Sequence, residues 1–294
     1  GSGSGAHDDM PGMGAMPTME GVGTSTLLGG DAGDVNYPYY VINGRIPSAA
    51  TVFTARPGQR IRLRIINAGS DTAFRVALAG HSMTVTHTDG YPVVPADVDA
   101  LLLGMGERYD AIITAGDGVF ALVAMPEGKN GLARALLSTG AGTGPDAGYQ
   151  PPEMTGRVGT AAMFAATEAA SFPAGAPDTS LTAELTGSMM TYDWSINGVT
   201  FPDAPPMTVQ QDQRVSLTFR NSTTMWHPMH LHGHTFQIVR PDGSLGARKD
   251  TAIVLPKQTV STTFIADNPG VWMMHCHNTY HQEAGMMTSV DYTT

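Results

Sequence analysis

From Tyr37 onward the chain is written in short apolar runs broken by turn residues. Arg60-Ile61-Arg62-Leu63 alternates polar and apolar positions, and Arg214-Val215-Ser216-Leu217 does the same. That period of two puts alternate side chains on opposite faces and predicts half-buried β-strands. Val271-Trp272-Met273-Met274 follows the turn signal Gly270 and predicts a strand over 271–277. No stretch of any length shows the helical period. The pattern also recurs: Ile42-Asn43-Gly44 returns as Ile196-Asn197-Gly198, Gly80-His81 as Gly233-His234, and Gly118-Val119-Phe120 as Gly270-Val271-Trp272, at offsets of about 153 residues. One all-β unit is therefore expected twice, each copy a Greek-key β-sandwich of short strands. The expected division is a lead-in over 1–36, a first domain over 37–150, a linker over 151–185 and a second domain over 186–294. The Ala-rich stretch 159–170 is a candidate short helix within a linker that crosses the surface.

Composition sharpens this picture. Only 14% of residues are charged, while 35 are Gly and 20 are Pro, as many short strands with many turns require. A formal net charge of −10 argues against nucleic acid or an anionic membrane surface as a partner. No apolar run approaches the length of a membrane span. Gly1-Ser2-Gly3-Ser4-Gly5 reads as an added linker, so no signal peptide is expected within this chain. Met10, Met13, Met16 and Met19, beside His7, Asp8 and Asp9, form either a soft-metal chelator for Cu(I) or an unstructured lead-in.

The densest chemistry lies in Met274-His275-Cys276-His277, followed by His281 and Met286. Cys276 is the only cysteine, so it forms no internal disulfide, yet it stands between two histidines. On a strand it faces away from both of them. In His227-Pro228-Met229-His230-Leu231-His232-Gly233-His234, an extended segment likewise turns His227 away from His230 and His232. One Cys, two His and a Met make the donor set of a trigonal copper site with a weak axial thioether. The alternation thus assigns His227, Cys276, His281 and Met286 to a mononuclear copper, and His230, His232, His275 and His277 to a second metal site on the opposite face. A zinc site or histidines satisfied within a core would be the alternative; structural zinc more often uses several cysteines.

HPMHLHGH followed by HCHNTYHQEAGM resembles the C-terminal copper signature of the multicopper oxidases, the laccase-like enzymes. The resemblance covers roughly residues 37–294 and implies two tandem cupredoxin-like domains, the second and third of a three-domain oxidase. It implies a type 1 copper on His227, Cys276, His281 and Met286, and half of a type 2/type 3 cluster on His230, His232, His275 and His277. Catalysis would pass electrons from a small-molecule reducing substrate (a phenol, an aromatic amine or a low-valent metal ion) through Cys276 to His275, His277 and O2. Donors are expected to meet an exposed edge near His227 or His281. Some relatives carry an acid immediately before the His after HCH; here that position is Tyr280. The family cluster takes four His-x-His pairs and this chain has two, so a missing N-terminal domain, removed at the linker, or a second chain is expected to complete it. Otherwise the chain is a blue-copper electron-transfer or copper-binding protein that does not reduce O2. A secreted or periplasmic location is implied too.

The repeat places Phe74, Ala77 and Ala79 where the second copy has His227, His230 and His232, and Val123, Ala124 and Met125 where it has His275, Cys276 and His277. The first domain should bind no copper there. His81 persists opposite His234, which marks His234 as structural, and His87 reads as a half-exposed strand residue. Gly104-Met105-Gly106-Glu107-Arg108-Tyr109-Asp110 resembles the family's second-domain Gly-Glu-Arg motif. It is expected to be an architectural turn closed by an internal Glu/Arg or Arg/Asp pair.

Overall fold

The computed structural model describes residues 23–140 and 142–293. The lead-in methionines, with His7, Asp8 and Asp9, lie outside the described residues. Two sandwiches share one strand order. In the first, one sheet runs Thr51–Thr54, Ala133–Ser138, Val119–Pro126, Phe74–Leu78, Ala100–Leu103, and faces Arg60–Ile66, Arg108–Thr114, Met83–Thr88, Tyr91–Val98. In the second, Met207–Val209, Met287–Tyr292, Val271–Cys276, His227–Leu231, Thr251–Val254 faces Arg214–Asn221, Thr259–Ile265, Phe236–Val239, Leu245–Lys249. A parallel pairing recurs as well, Thr51–Thr54 with Ala133–Ser138 and Met207–Val209 with Met287–Tyr292.

The alternation explains the packing. Ile61, Leu63 and Ile65 turn inward from Arg60, Arg62 and Arg64, and Val215, Leu217 and Phe219 form the buried face of Arg214–Asn221. In each repeat a two-residue turn puts Asn43 and Gly44, then Asn197 and Gly198, at positive φ. Ile42 bridges Arg45 and Ile196 bridges Val199 across them, the geometry that Asn-Gly favours.

Two connecting segments do more than expected. The 151–185 stretch is packed rather than laid over the surface. Phe164 joins the first core and Phe172 the second, Val158–Gly159 extends the first sheet, and Thr179–Thr186 is already a strand of the second sandwich, parallel to Arg214–Asn221. The Ala-rich part forms single 3-10 turns, Ala161–Met163 and Glu168–Ala170, instead of a helix. Extended residues between them let Phe164 bury. From Gly23 the lead-in is also built in: Thr24–Ser25 pairs with Gly30–Asp31, Leu28 and Ala32 are buried, and Asp34 reaches the second sandwich. No helix among the described residues is long and apolar enough to cross a membrane.

Candidate metal centre

Strand register divides the ligands. Met229 pairs with Cys276, His230 with His275 and Leu231 with Met274, antiparallel. Successive pairs face opposite sides of the sheet. Cys276 therefore points with Met229, Leu231 and Met274 into the apolar core, while His230 and His275 point out of it together. The strand ends at Cys276, and His277 follows it, held by its N–H to the Pro228 carbonyl at 2.6 Å.

His281 comes from a different device. Asn278 caps the single turn Thr279–Glu283, its Oδ1 accepting from the N–H groups of Tyr280 and His281 at 3.0 and 3.4 Å. That turn folds His281 back over Cys276. The Met286 N–H then donates to the His281 carbonyl, and the Cys276 N–H to the Met286 carbonyl, both at 3.0 Å. Met286 is buried in the same apolar cluster as Cys276.

The inner group fits a metal. His227 Nδ1 and His281 Nδ1 are 3.0 Å apart, and Cys276 Sγ lies 3.7 and 3.8 Å from them. A point equidistant from the three atoms is about 2 Å from each, the length of a metal–imidazole bond. The far nitrogens are each hydrogen-bonded, as those of metal-bound imidazoles usually are. His227 Nε2 meets Thr223 Oγ1 at 2.9 Å and His281 Nε2 meets Asp34 Oδ2 at 3.1 Å. Burial, then His281, pushes the His227 pKa well down, which keeps its ring neutral. Burial pushes the Cys276 thiol up, so forming the thiolate requires a cation, and metal uptake must expel a proton.

Asp34 carries no signal in the sequence, as an acid in a Gly-rich stretch without a motif. It accepts from Tyr192 Oη at 2.7 Å as well as from His281. Burial raises its pKa, but these two hydrogen bonds together with the nearby His281 and Lys129 charges hold it below the usual carboxylate range. Asp71 was missed too. Its Oδ1 accepts from Asn278 Nδ2 at 2.8 Å and the Asp34 N–H at 3.2 Å, and its Oδ2 from Lys129 Nζ at 2.6 Å. The first repeat thus braces the turn that carries His281. These contacts also overturn the expected exposed edge. His227 and His281 are both 0% exposed, closed over by Asp34, Tyr192 and Trp194, whose ring centre is 4.5 Å from that of His281. Tyr280, beside His281, is the exposed residue, its hydroxyl 3.0 Å from that of Tyr37.

On the other face His230, His232 and His275 bring ligand nitrogens within 4.8 Å of one another, with His232 Nε2 and His275 Nε2 3.0 Å apart. His277 stands further out, its ring centre 5.7 Å from those of His230 and His275. Burial, and then the neighbouring histidines, pushes His275 down to about 4, so the ring is a free base near neutral pH. His275 Nδ1–H donates to the Cys276 carbonyl at 2.9 Å, joining the two groups by a hydrogen bond as well as by the chain.

His234 and His81 have parallel structural roles. Each Nδ1–H donates to the carbonyl two residues earlier, His232 at 3.2 Å and Ala79 at 2.8 Å. Each Nε2 accepts, from Tyr292 Oη at 2.7 Å and the Gly116 N–H at 3.0 Å. Ala77 pairs with Val123 as His230 pairs with His275, so apolar residues fill the first sandwich's matching positions. His87 is half-buried, Nδ1 against Thr86 Oγ1 at 3.0 Å. The Gly104–Asp110 turn is closed by internal hydrogen bonds, the Gly104 N–H to Glu107 Oε2 at 2.7 Å among them, and not by the expected internal ion pair. Arg108 binds Asp250 and Glu107 faces Lys249, both in the second sandwich, while Asp110 lies 3.8 and 3.7 Å from Arg62 and Arg64.

Residues 8–142 and 175–294 match two family models, each described as multicopper oxidase. Multicopper oxidase MmcO of Mycobacterium tuberculosis is 62% identical over 277 residues, covering 94% of this chain and 55% of that protein. Copper resistance protein A of Escherichia coli is 27% identical, with coverage of 88% and 60%. The structure of Fet3p, a multicopper oxidase that functions in iron import, matches with a TM-score of 0.71 at 21% identity, covering 82% of this chain and 57% of that one. A laccase from Botrytis aclada matches at 0.68 and 24%, covering 82% and 53%. These structural likenesses speak for the cupredoxin fold. The chain spans about half the length of the curated relatives it matches.

Proposed function

The chain belongs to the multicopper oxidase family, and on that premise we propose that it is the electron-entry module of a laccase-like oxidase, carrying one complete copper site and half of an oxygen site. His227, Cys276, His281 and the axial Met286 hold the type 1 copper; His230, His232, His275 and His277 give the half-cluster. The observation that carries this reading is the bond-length triangle of His227, Cys276 and His281, one residue along the strand from His275. Bound copper would supply one-electron oxidation of the donor at the first site and reduction of O2 at the second. The protein's part is to aim the imidazoles, to bury Cys276 from water and competing oxidants, and to join the sites through the Cys276–His275 peptide and its hydrogen bond.

Phenols, aromatic amines or low-valent metal ions are the proposed donors. Because His227 and His281 are closed over, donors would act through the Asp34, Tyr192 and Tyr280 surface. A missing N-terminal domain or a second copy of the chain would supply the other two histidine pairs. The sandwich of 37–150 would carry no copper and serve to brace the one of 186–294. A secreted or periplasmic location is proposed with the family. A competing reading, an electron-transfer or copper-binding protein without O2 reduction, is favoured by the two His-x-His pairs alone. Copper stoichiometry with oxygen uptake, at several protein concentrations, separates them. One tight copper and no uptake at any concentration rejects the oxidase module.

A further inference from the structure

The Gly-Glu-Arg turn of the first sandwich lies against the histidine cluster of the second. We infer that Gly106 and Arg108 are positioning residues for that cluster: across the interface, Arg108 fixes the ring of His230 through Asp250, and Gly106 sets the seat of His277. The inference rests on the proposed role of these histidines, and it deepens that role.

The chain of contacts is continuous. His230 Nδ1–H donates to the Asp250 carbonyl at 2.8 Å, which leaves Nε2 bare toward His232 and His275. Asp250 is gripped from the first sandwich by a bidentate Arg108, Nη1 to Oδ1 at 2.6 Å and Nη2 to Oδ2 at 2.8 Å. Such a fork fixes direction as well as distance. Asp89 completes the grip, with its Oδ2 accepting from the Asp250 and Thr251 N–H groups at 3.1 and 3.2 Å and its Oδ1 from the Arg108 N–H at 2.9 Å. The carbonyl that orients His230 is therefore held on both sides by the other domain. Beside it, Gly106 has φ +84°, and a Cβ there would stand 2.6 Å from His277 Cδ2. Only glycine lets the turn come this close. The turn is rigid, its Gly106 N–H bonded to the Asn67 carbonyl at 3.0 Å and Asn67 Nδ2 to those of Thr72 and Leu103. The first sandwich, with apolar residues at its own ligand positions, thus acts on the ligands of its neighbour.

The test uses the metal-free chain. Long-range nitrogen–proton NMR correlation reads the tautomer of each histidine. Wild type should show His230 as the Nδ1–H tautomer. Arg108→Gln should give a mixture at His230 while His227 and His281 keep their wild-type signals, which also reports that the domain is folded. Gly106→Ala should shift His277 and leave His230 in place. Zn(II) titration of the same samples should show the His230 group weakened about tenfold in Arg108→Gln, the lower end of what outer-shell partners contribute. If Arg108→Gln does not fold, Arg108→Lys, which keeps the charge and loses the fork, should show the same mixture in milder form. A wild-type His230 tautomer in folded Arg108→Gln or Arg108→Lys overturns the inference. Because the tautomer is read without metal, a changed tautomer with no metal bound at these histidines would reject the functional reading and leave the positioning intact.

Discussion

Replacing Lys249 by Met should unfold the chain at a markedly lower temperature and in a pH-dependent way. Lys249 is fully buried, its Nζ 3.1 Å from Asp89 Oδ2 and 3.2 Å from Glu107 Oε1. Burial pulls its pKa down, but Asp89, Tyr109 and Glu107 more than reverse this and keep it charged. Without the ammonium, Asp89 retains three backbone N–H donors, from Arg108, Asp250 and Thr251. Glu107 is worse placed, because its Oε2 keeps the Gly104 N–H while its Oε1 has no hydrogen-bond donor. Removing one partner of a buried pair costs about 3–5 kcal/mol, and at about 2–4 °C per kcal/mol for a chain of this size the melting temperature should fall by roughly 10 °C. Burial already raises the Glu107 pKa, with Lys249 the main opposing influence, so in Lys249→Met it should rise further. An acid whose folded pKa lies above its unfolded value is penalised above that folded pKa, and the penalty fades as pH falls toward the unfolded value. The deficit of Lys249→Met should accordingly shrink on acidification, and Glu107→Gln in the same chain should restore most of it. Calorimetry on the metal-free protein from neutral to mildly acidic pH reads all of this. A melting temperature within a degree of wild type, or a deficit untouched by Glu107→Gln, would refute the reasoning.

Other outcomes can be checked singly. Asp34→Asn removes the charge behind His281 and should weaken type 1 copper at least tenfold in a chelator competition; an unchanged affinity would leave Asp34 without a role. His275 is depressed to about 4 from the ordinary 6.5, so the stability it contributes is complete above the ordinary value and is lost as pH falls through the folded one, with a slope of up to about 1.4 kcal/mol per pH unit. His275→Gln should flatten the acid limb of unfolding, and an identical limb would contradict this. Gly233 sits at φ +69° with the Trp272 ring where a Cβ would go; Gly233→Ala should cost about 2 kcal/mol or more in denaturant unfolding, and a neutral result would show that the ring can yield.

What was legible in the sequence was whatever a local period or motif encodes. Period-two alternation separated Cys276 from His275 and His227 from His230, and the recurring Asn-Gly turns marked the duplication that silenced Ala77 and Val123. The contributions of Asp34, Asp71 and Lys249 were not legible, because each acts on a partner far away in the chain and none stands in a periodic or motif context. The Glu107–Arg108 pair was seen but closed on the wrong partners, since a short motif shows which charges exist and not which surface they face. His281 lay between these cases. Asn278 ahead of Thr279–Glu283 is a helix N-cap signal, and it is legible in the sequence as a turn that folds His281 back toward Cys276. The exposed edge expected at His281 failed for the same reason as Asp34: a Gly-rich segment gives no sign of where it docks.

On the proposed reading, Cys276 binds copper as a thiolate between His227 and His281. Visible absorption and electron spin resonance of the copper-loaded chain and of Cys276→Ser test it most directly. Wild type should show an intense thiolate-to-Cu(II) charge-transfer band with a narrow copper hyperfine splitting, both absent from Cys276→Ser while the fold and the His230 group are retained. A copper-loaded wild type without that band, or a band that survives Cys276→Ser, would contradict it.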